Sequence, residues 1–473
     1  MLTIQQKRSN TFFAILALPA TALGFALSVQ ISALSWILTT QYGLAIHDIG
    51  LVWAAGPIAG IFGQVIIGTW SDRVWLWKGR RRPFILVGGT IAALTLLALP
   101  NIDVISSSLG FEAILGVALV VVLSLDFAIN VGFNPTRSVI ADVTPEGVDR
   151  TRGYTWMQTM SGTFSVGAYG IGWYFDNYVL IYVSVVLVLL FSIIPPLFIE
   201  EPESLESDAP AEGDGSGKTS ILGMLQTIQP LWGFLIYDIY AMSLRIAGIQ
   251  HQHYYAEIIC GALTILLIAR SLMAKEHSAT GAADHLIGFR KILAAHSFSW
   301  IGIHTTFVFL VVYLQSSMST LSDIEFGQIG SMSFLILNAV GAALPVLVLK
   351  PLTEKIGRVR THAACLGIMT VGYIAMYFLG STTTIIYLLM AVIGVGWASI
   401  ISLPFAIMSQ KADKAEMGLF MGLFNLSVVL PQLVVSLGIS LAVSRADDLR
   451  IIFVISAVAL ALSTISWMRI HED

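Results

Sequence analysis

Charge is what this chain has least of. Asp, Glu, Lys and Arg make up 11% of its 473 residues, where a soluble domain carries about a quarter. With 56% of the residues hydrophobic, an ordinary water-soluble fold is excluded. Cysteine is nearly missing. Cys260 and Cys365 stand in separate apolar runs, which reads as two packing residues and not as a disulfide or a metal pair. The alternating ten-residue pattern of a membrane barrel is missing too. There is no GxxxxGK[ST], no HExxH and no Cys/His metal spacing, and the GxSxG-like stretches lack a strand–turn–helix setting. These absences argue against an enzyme and leave metal ligands and organic cofactors without a site. A net charge of −4 says nothing about nucleic acid, and no nucleic-acid partner is expected.

What is present is apolar runs longer than the roughly 18 residues that mark a membrane-spanning helix. Hydrocarbon forces every backbone polar group to be paired internally, so the runs predict a bundle of helices in a lipid bilayer. Twelve strong spans can be read. In the first half they lie near 11–38, 47–70, 83–101, 110–135, 153–175 and 178–199; in the second, near 293–316, 326–350, 361–380, 383–409, 416–443 and 450–469. The first run is too long, and lacks a clear small-residue cleavage site, to read as a removable signal. Residues 200–291 open with "EEPESLESDAPAEGDGSGK", an acidic linker that cannot bury a core. Two weaker runs, 221–246 and 255–274, follow it and predict either a membrane hairpin or a pair of interfacial helices. The expected architecture is an all-α integral membrane protein with a six-helix bundle over 1–199, a linker and two-helix insertion over 200–291, and a second six-helix bundle over 292–473.

The few charges are concentrated. With the N-terminus inside, one set of loops holds Lys7, Arg8, Arg73, Lys78, Arg80, Arg81, Arg82, Arg150, Arg152, Lys355, Arg358, Arg360, Lys411, Lys414 and Arg469, while Arg245, Arg445 and Arg450 fall on the other side. The positive-inside rule then places both termini in the cytoplasm, in a plasma or inner membrane. The charged strings also repeat. "SDRVWLWKGRRRP" follows the second span of the first half and "TEKIGRVRTH" follows the second span of the second half. Repeats at matching places in two six-helix halves point to a transporter with a site between related bundles. Beyond orientation, the acids in these loops suggest a conformational latch. Asp72 can accept charge-assisted hydrogen bonds from arginines of the fourth–fifth loop. The candidate latch comprises Asp72, Arg73, Arg80, Arg81, Asp142, Arg150 and Arg152, with Glu354 and Arg358 in the second half. The plainer alternative is a solvated basic loop that serves orientation alone.

An ionisable side chain inside a membrane helix is a functional candidate by default. In the fourth span Asp126, Asn130, Asn134 and Arg137 share one helical face. Asp126 and Arg137 stand eleven residues apart, roughly 16 Å along a helix axis, too far for a direct ion pair. Desolvation penalises a charged carboxylate, so an acid alternately dry and wet can take up and release a proton. Asp126 is therefore the candidate proton carrier. Sugar binding needs amides or acids for paired hydroxyls and aromatic rings for C–H faces. Candidates inside spans are Gln30, Trp36, Gln64, Asn130 and Gln158 in the first half and Trp300, His304, Asn338, Asn425 and Gln432 in the second; each is equally suited to an interhelical hydrogen bond.

The string "GPIAGIFGQVIIGTWSDRVWLWKGRRRPFI" resembles the second helix and following loop of the plant sucrose transporters and their animal and microbial relatives. These belong to the major facilitator superfamily, close to the glycoside–pentoside–hexuronide symporters. The likeness continues in "LGFALSVQISALSWIL", "LDFAINVGFNPTRSVIADV", "RTRGYTWMQTMSGTFSVGAYGIG", "LILNAVGA", "SLPFAIMSQ" and "GLFNLSVVLPQLVVSLG", so it covers most of the chain outside 200–291. It implies proton-coupled symport of a sucrose- or maltose-like sugar by a protein working as a monomer, with protons as the coupling ion and no other cofactor. It also implies protonation at Asp126 and an influence of Arg137 on sugar binding or coupling. Two departures matter. The seventh span, "HSFSWIGIHTTFVFLVVYLQ", lacks the plant members' aspartate, and His304 offers partial replacement. The second span has none of the acids of the sodium-using relatives, which favours protons over sodium; the alternative on the same fold is a sodium-coupled or uncoupled sugar or glycoside transporter, an exporter, or a non-transporting sugar sensor.

Overall fold

The computed structural model describes residues 6–61, 74–110, 113–145, 148–202, 221–249, 253–275, 282–318, 320–411 and 417–472. Helices make up its regular structure. In chain order we label them α1 (Asn10–Thr40), α2 (Ile46–Ile61), α3 (Arg82–Ser108), α4 (Ile114–Val143), α5 (Val148–Tyr174), α6 (Asn177–Phe198), α7 (Trp232–Ile246), α8 (Tyr255–Met273), α9 (Ala282–Ser317), α10 (Asp323–Ile356), α11 (Arg358–Leu379), α12 (Thr383–Lys411), α13 (Leu419–Ser444) and α14 (Ile451–Trp467). Among the described residues ten helices are long and apolar enough to cross a membrane. Ten such helices suit a chain that crosses a membrane several times.

Local chemistry sets the helix starts. Ser9 accepts the Phe12 N–H at 3.2 Å at the head of α1, and Asp176 accepts that of Val179 at 2.7 Å at the head of α6. Both are side-chain caps on otherwise unpaired N–H groups. At α10, Ser322 and Glu325 bond reciprocally, with Glu325 Oε2 accepting the Ser322 N–H at 2.7 Å, a capping box. Prolines interrupt several spans: Pro19 in α1, Pro135 in α4, Pro404 in α12 and Pro431 in α13. Each removes one backbone donor and invites a bend. In α10 and α13 the helix widens into π turns over Pro345–Leu349 and Val435–Ile439.

Two compact units emerge. Unit one comprises 1–44, 58–216 and 321–335; unit two comprises 45–57, 217–320 and 336–473. Within unit one, α1 packs on α5 and α6, and α3 packs on α4 and α6. Within unit two the equivalent helices repeat those four pairings: α9 on α13 and α14, α11 on α12 and α14. The repeat seen in the charged loops is therefore also a repeat of packing. Segment 321–335 is fixed in unit one by Trp36, whose indole donates to the Asp323 carbonyl at 2.6 Å, and by Ser331, whose hydroxyl lies 2.6 Å from that of Ser32 and donates to Asn177 at 3.0 Å. Segment 45–57 is fixed in unit two at Gly50, where a Cβ would stand only 2.3 Å from the Ser440 side chain.

The two weaker runs of the insertion both form helices. They pack on each other, α7 also on α13 and α8 on α9, all within unit two. The run 221–246 is not one continuous span. It breaks at Gln229–Leu231, where Pro230 supplies no N–H, and leaves α7 with 15 residues, about 22 Å of helix against a hydrocarbon core of about 30 Å. The acidic linker from 203 to 220 lies outside the described residues.

Candidate functional site

Asp126 sits in the middle of α4, with 3% of its surface exposed. Its side-chain partner is the Gln30 amide of α1, which donates from Nε2 to both carboxylate oxygens at 3.0 Å. Gln30 is itself buried. Asn130, one turn on, donates to the Asp126 backbone carbonyl at 2.8 Å and ties the local helix rather than the carboxylate. No Lys, Arg or His stands within ion-pair distance of Asp126 among the described residues. The surrounding helices approach through small residues: Ser165 of α5 donates to the Gly24 carbonyl at 3.2 Å, and a Cβ on Gly24 would fall 2.3 Å from Ser161 Oγ. A buried acid held by a neutral amide can change protonation state without breaking an ion pair.

The remaining unit-one candidates divide. Trp36 is fully buried, edge-on to Tyr178 at 4.9 Å, with its N–H on the Asp323 carbonyl. Arg137 and Gln158 are exposed. The Arg137 guanidinium lies 5.5 Å from the Phe133 ring centroid, and the Arg137 carbonyl accepts from Tyr154 at 3.2 Å. Gln64 and the Asn134 side chain lie outside the described residues.

Unit two gathers an aromatic corner. Trp300 Nε1 donates to His296 Nε2 at 2.9 Å and meets Trp397 edge-on at 6.1 Å. Trp397 in turn donates to Asn338 Oδ1 at 3.2 Å and meets Phe307 at 5.4 Å. Asn338 and Trp300 are thus brought together by Trp397, a residue that the sequence reading did not select. Asn425 and Gln432 are half-buried on α13, with no hydrogen bond among the described residues. His304 is buried beside Trp53 at 5.6 Å, 3.5 Å from the Ser436 hydroxyl.

Of the latch candidates, Asp72 and Arg73 lie outside the described residues. Arg81 at the head of α3 donates from Nε to Asp142 of α4 at 2.9 Å, with side-chain exposures of 6% and 11%. Arg150 donates to the carbonyls of Ala141 and Thr144, each at 3.1 Å, and Arg152 reaches Asn10 at 2.5 Å. Glu354 is exposed and Arg358 half-buried.

Two acids outside the sequence candidates complete the motif. Glu201, just after α6, accepts the backbone N–H groups of Arg80, Arg81 and Arg82 at 2.6, 2.7 and 2.7 Å. Glu472, just after α14, accepts those of Arg358 and Val359 at 2.6 and 3.0 Å. Glu201 therefore caps α3, and Glu472 caps α11, at the Gly-Arg turn. Gly79 and Gly357 make room: a Cβ there would fall 2.6 Å from Glu201 Oε1 and 2.4 Å from Glu472 Oε2. The signal that finds these acids is a repeat comparison extended to the ends of the sixth and twelfth spans. We expect Glu201→Gln to destabilise the protein by about 1–2 kcal/mol, and Glu472→Gln by less, because it holds fewer donors at a more exposed place. Thermal unfolding in detergent measures both; equal, negligible shifts would count against the caps.

The sequence profile of the Major Facilitator Superfamily matches residues 16–436. The chain is 22% identical over 488 residues to the Sucrose transport protein SUC4 of Arabidopsis thaliana, across 92% of this chain and 84% of that one. A shorter stretch of 141 residues, 28% of this chain and 19% of the relative, is 37% identical to the Proton-associated sugar transporter A of Mus musculus. Among solved structures, the inward-open xylose transporter XylE from E. coli aligns with a TM-score of 0.62 at 13% identity, over 98% of this chain and 96% of that one.

Proposed function

Because this chain belongs to the Major Facilitator Superfamily, we propose that it is a secondary active transporter which carries a sucrose- or maltose-like sugar together with a proton by alternating access. The observation that carries the reading is the buried Asp126 carboxyl paired with the neutral Gln30 amide. An amide has donors for a carboxylate and an acceptor for a carboxylic acid. Rotation of the Gln30 side-chain amide therefore serves Asp126 in either protonation state. The names of the relatives, one a sucrose transport protein and one a proton-associated sugar transporter, support sugar as the cargo. Trp300, Trp397 and Asn338 supply the ring faces and the amide that a sugar requires, with Asn425 and Gln432 as further amides.

Asp126 and Asp142 lie on the same helix with Pro135 between them. Proline removes the backbone bond that would join its turn to the preceding one, so α4 can bend between the proton site and the Arg81 pair. The reading takes both termini as cytoplasmic, on the strength of the basic-loop asymmetry. It takes the protein as a working monomer that needs the coupling proton and no other cofactor. Radiolabelled sucrose or maltose should enter proteoliposomes several-fold faster under an inward proton gradient, and a protonophore should remove the stimulation. Uptake that ignores the protonophore and follows sodium would replace the proton with sodium as the coupling ion.

A further inference from the structure

The two Gly-Arg turns end in different surroundings. In unit one, the space between the α3 head and the end of α6 is a cavity of about 10 Å³ lined by Arg82, Pro195, Pro196, Ile199 and Glu201. Arg82 closes it by donating to the carbonyls of Pro196 and Ile199. In unit two, the equivalent end of α11 opens into a cavity of about 1010 Å³. Its polar lining is Lys275, Lys291, Arg360, Arg469, His471 and Glu472. Arg360 holds the place in the second repeat that Arg82 holds in the first, three residues after the glycine. Unlike Arg82, it makes no hydrogen bond or ion pair among the described residues. Lys275 comes from the end of the insertion and is likewise exposed and unengaged among them. Lys291 is 4% exposed, with Nζ 3.5 Å from the Arg469 carbonyl. The carboxylate in the set, Glu472, already accepts two backbone N–H groups of α11. Among the described lining residues, Lys275, Arg360 and Arg469 thus share the cavity with one carboxylate, Glu472, that is turned to a helix end. Ile356 and Met468, 40% and 66% exposed, give the same cavity apolar lining.

We propose that this cavity binds a phosphate-bearing anion, presented by the headgroup of an anionic phospholipid. Clustered Lys and Arg between helix ends at a membrane surface select anionic headgroups, and guanidinium forks match phosphate oxygens. The exposed Ile356 and Met468 favour a lipid over a free ion, because acyl chains can cover them. The inserted hairpin then has a role that the bundles alone do not supply: it delivers Lys275 to the site. The inference stands independently of the sugar and of the coupling ion.

The test uses the full chain in a neutral detergent, with thermal unfolding read by tryptophan fluorescence. Added phosphatidylglycerol should raise the melting temperature saturably by several degrees, and phosphatidylcholine should not. The shift should disappear in Lys275→Gln/Arg360→Gln and persist in Lys350→Gln, an exposed cation outside the cavity. Inorganic phosphate that reproduces the shift would uphold the phosphate site and overturn its lipid source. No shift with either probe, or equal loss in Lys350→Gln, would overturn the site itself.

Discussion

Asp126→Asn should abolish the stimulation of sugar uptake by a proton gradient while leaving exchange of internal for external sugar intact. The carboxamide has the size of the acid and still finds the Gln30 amide, which lies 3.0 Å from both oxygens in the native protein. It cannot release a proton, so it fixes the site in the neutral form. A carrier that needs deprotonation to complete its cycle then stalls on the empty return, yet shuttles loaded in both directions. The expected loss is large, at least about tenfold in gradient-driven uptake, or some 1.4 kcal/mol on the coupled step. Stability should change little, because the substitution removes a buried charge and leaves no cation behind. Proteoliposomes loaded with unlabelled sugar measure exchange; the same vesicles without it, under an imposed pH difference, measure coupling. Gradient-driven uptake that survives in Asp126→Asn would remove this residue from the mechanism. Loss of both activities in a folded protein would make it a binding group instead of a coupling group.

The spans and the repeat were legible because they are local. A run of apolar residues long enough for hydrocarbon needs no tertiary information, and the Gly-Arg strings repeat within short windows. Asp126 was legible for the same reason, as an acid in an apolar run with amides at helical spacing. What the sequence concealed is pairing at long range. The Glu201 partners lie about 120 residues away and those of Glu472 about 114, and an acid after a span looks like any solvated loop charge. Residue type also fails to say where a side chain points. Trp36 and Trp300 read alike as sugar platforms, yet one indole fastens to the Asp323 carbonyl and the other to His296. Trp397, which joins Trp300 to Asn338, became visible only when α10 and α12 were seen together. The membership of 45–57 in unit two and of 321–335 in unit one has no local signature, since each segment is the leading part of an otherwise ordinary span.

The Arg81–Asp142 pair should behave as a coupled unit in a double-mutant cycle. Both side chains are nearly enclosed, and the Nε to Oδ2 contact is 2.9 Å. Arg81→Met leaves the Asp142 carboxylate shut away from water without this cation, and Asp142→Leu takes one carboxylate contact from the guanidinium. Removal of one member of a buried pair costs about 3–5 kcal/mol, whereas an apolar replacement of both is often close to neutral. Arg81→Met is therefore expected to lower the melting temperature sharply, and Arg81→Met/Asp142→Leu to recover part of that loss. Losses that merely add in the double variant would show that the pair makes no joint contribution. The cycle also separates a brace from a latch. If the pair only braces the heads of α3 and the end of α4, the stable double variant transports at the native rate. If it forms in one conformation and breaks in the other, the double variant shifts the balance between inward- and outward-facing states, and cysteines placed on the two faces change their labelling rates in opposite directions.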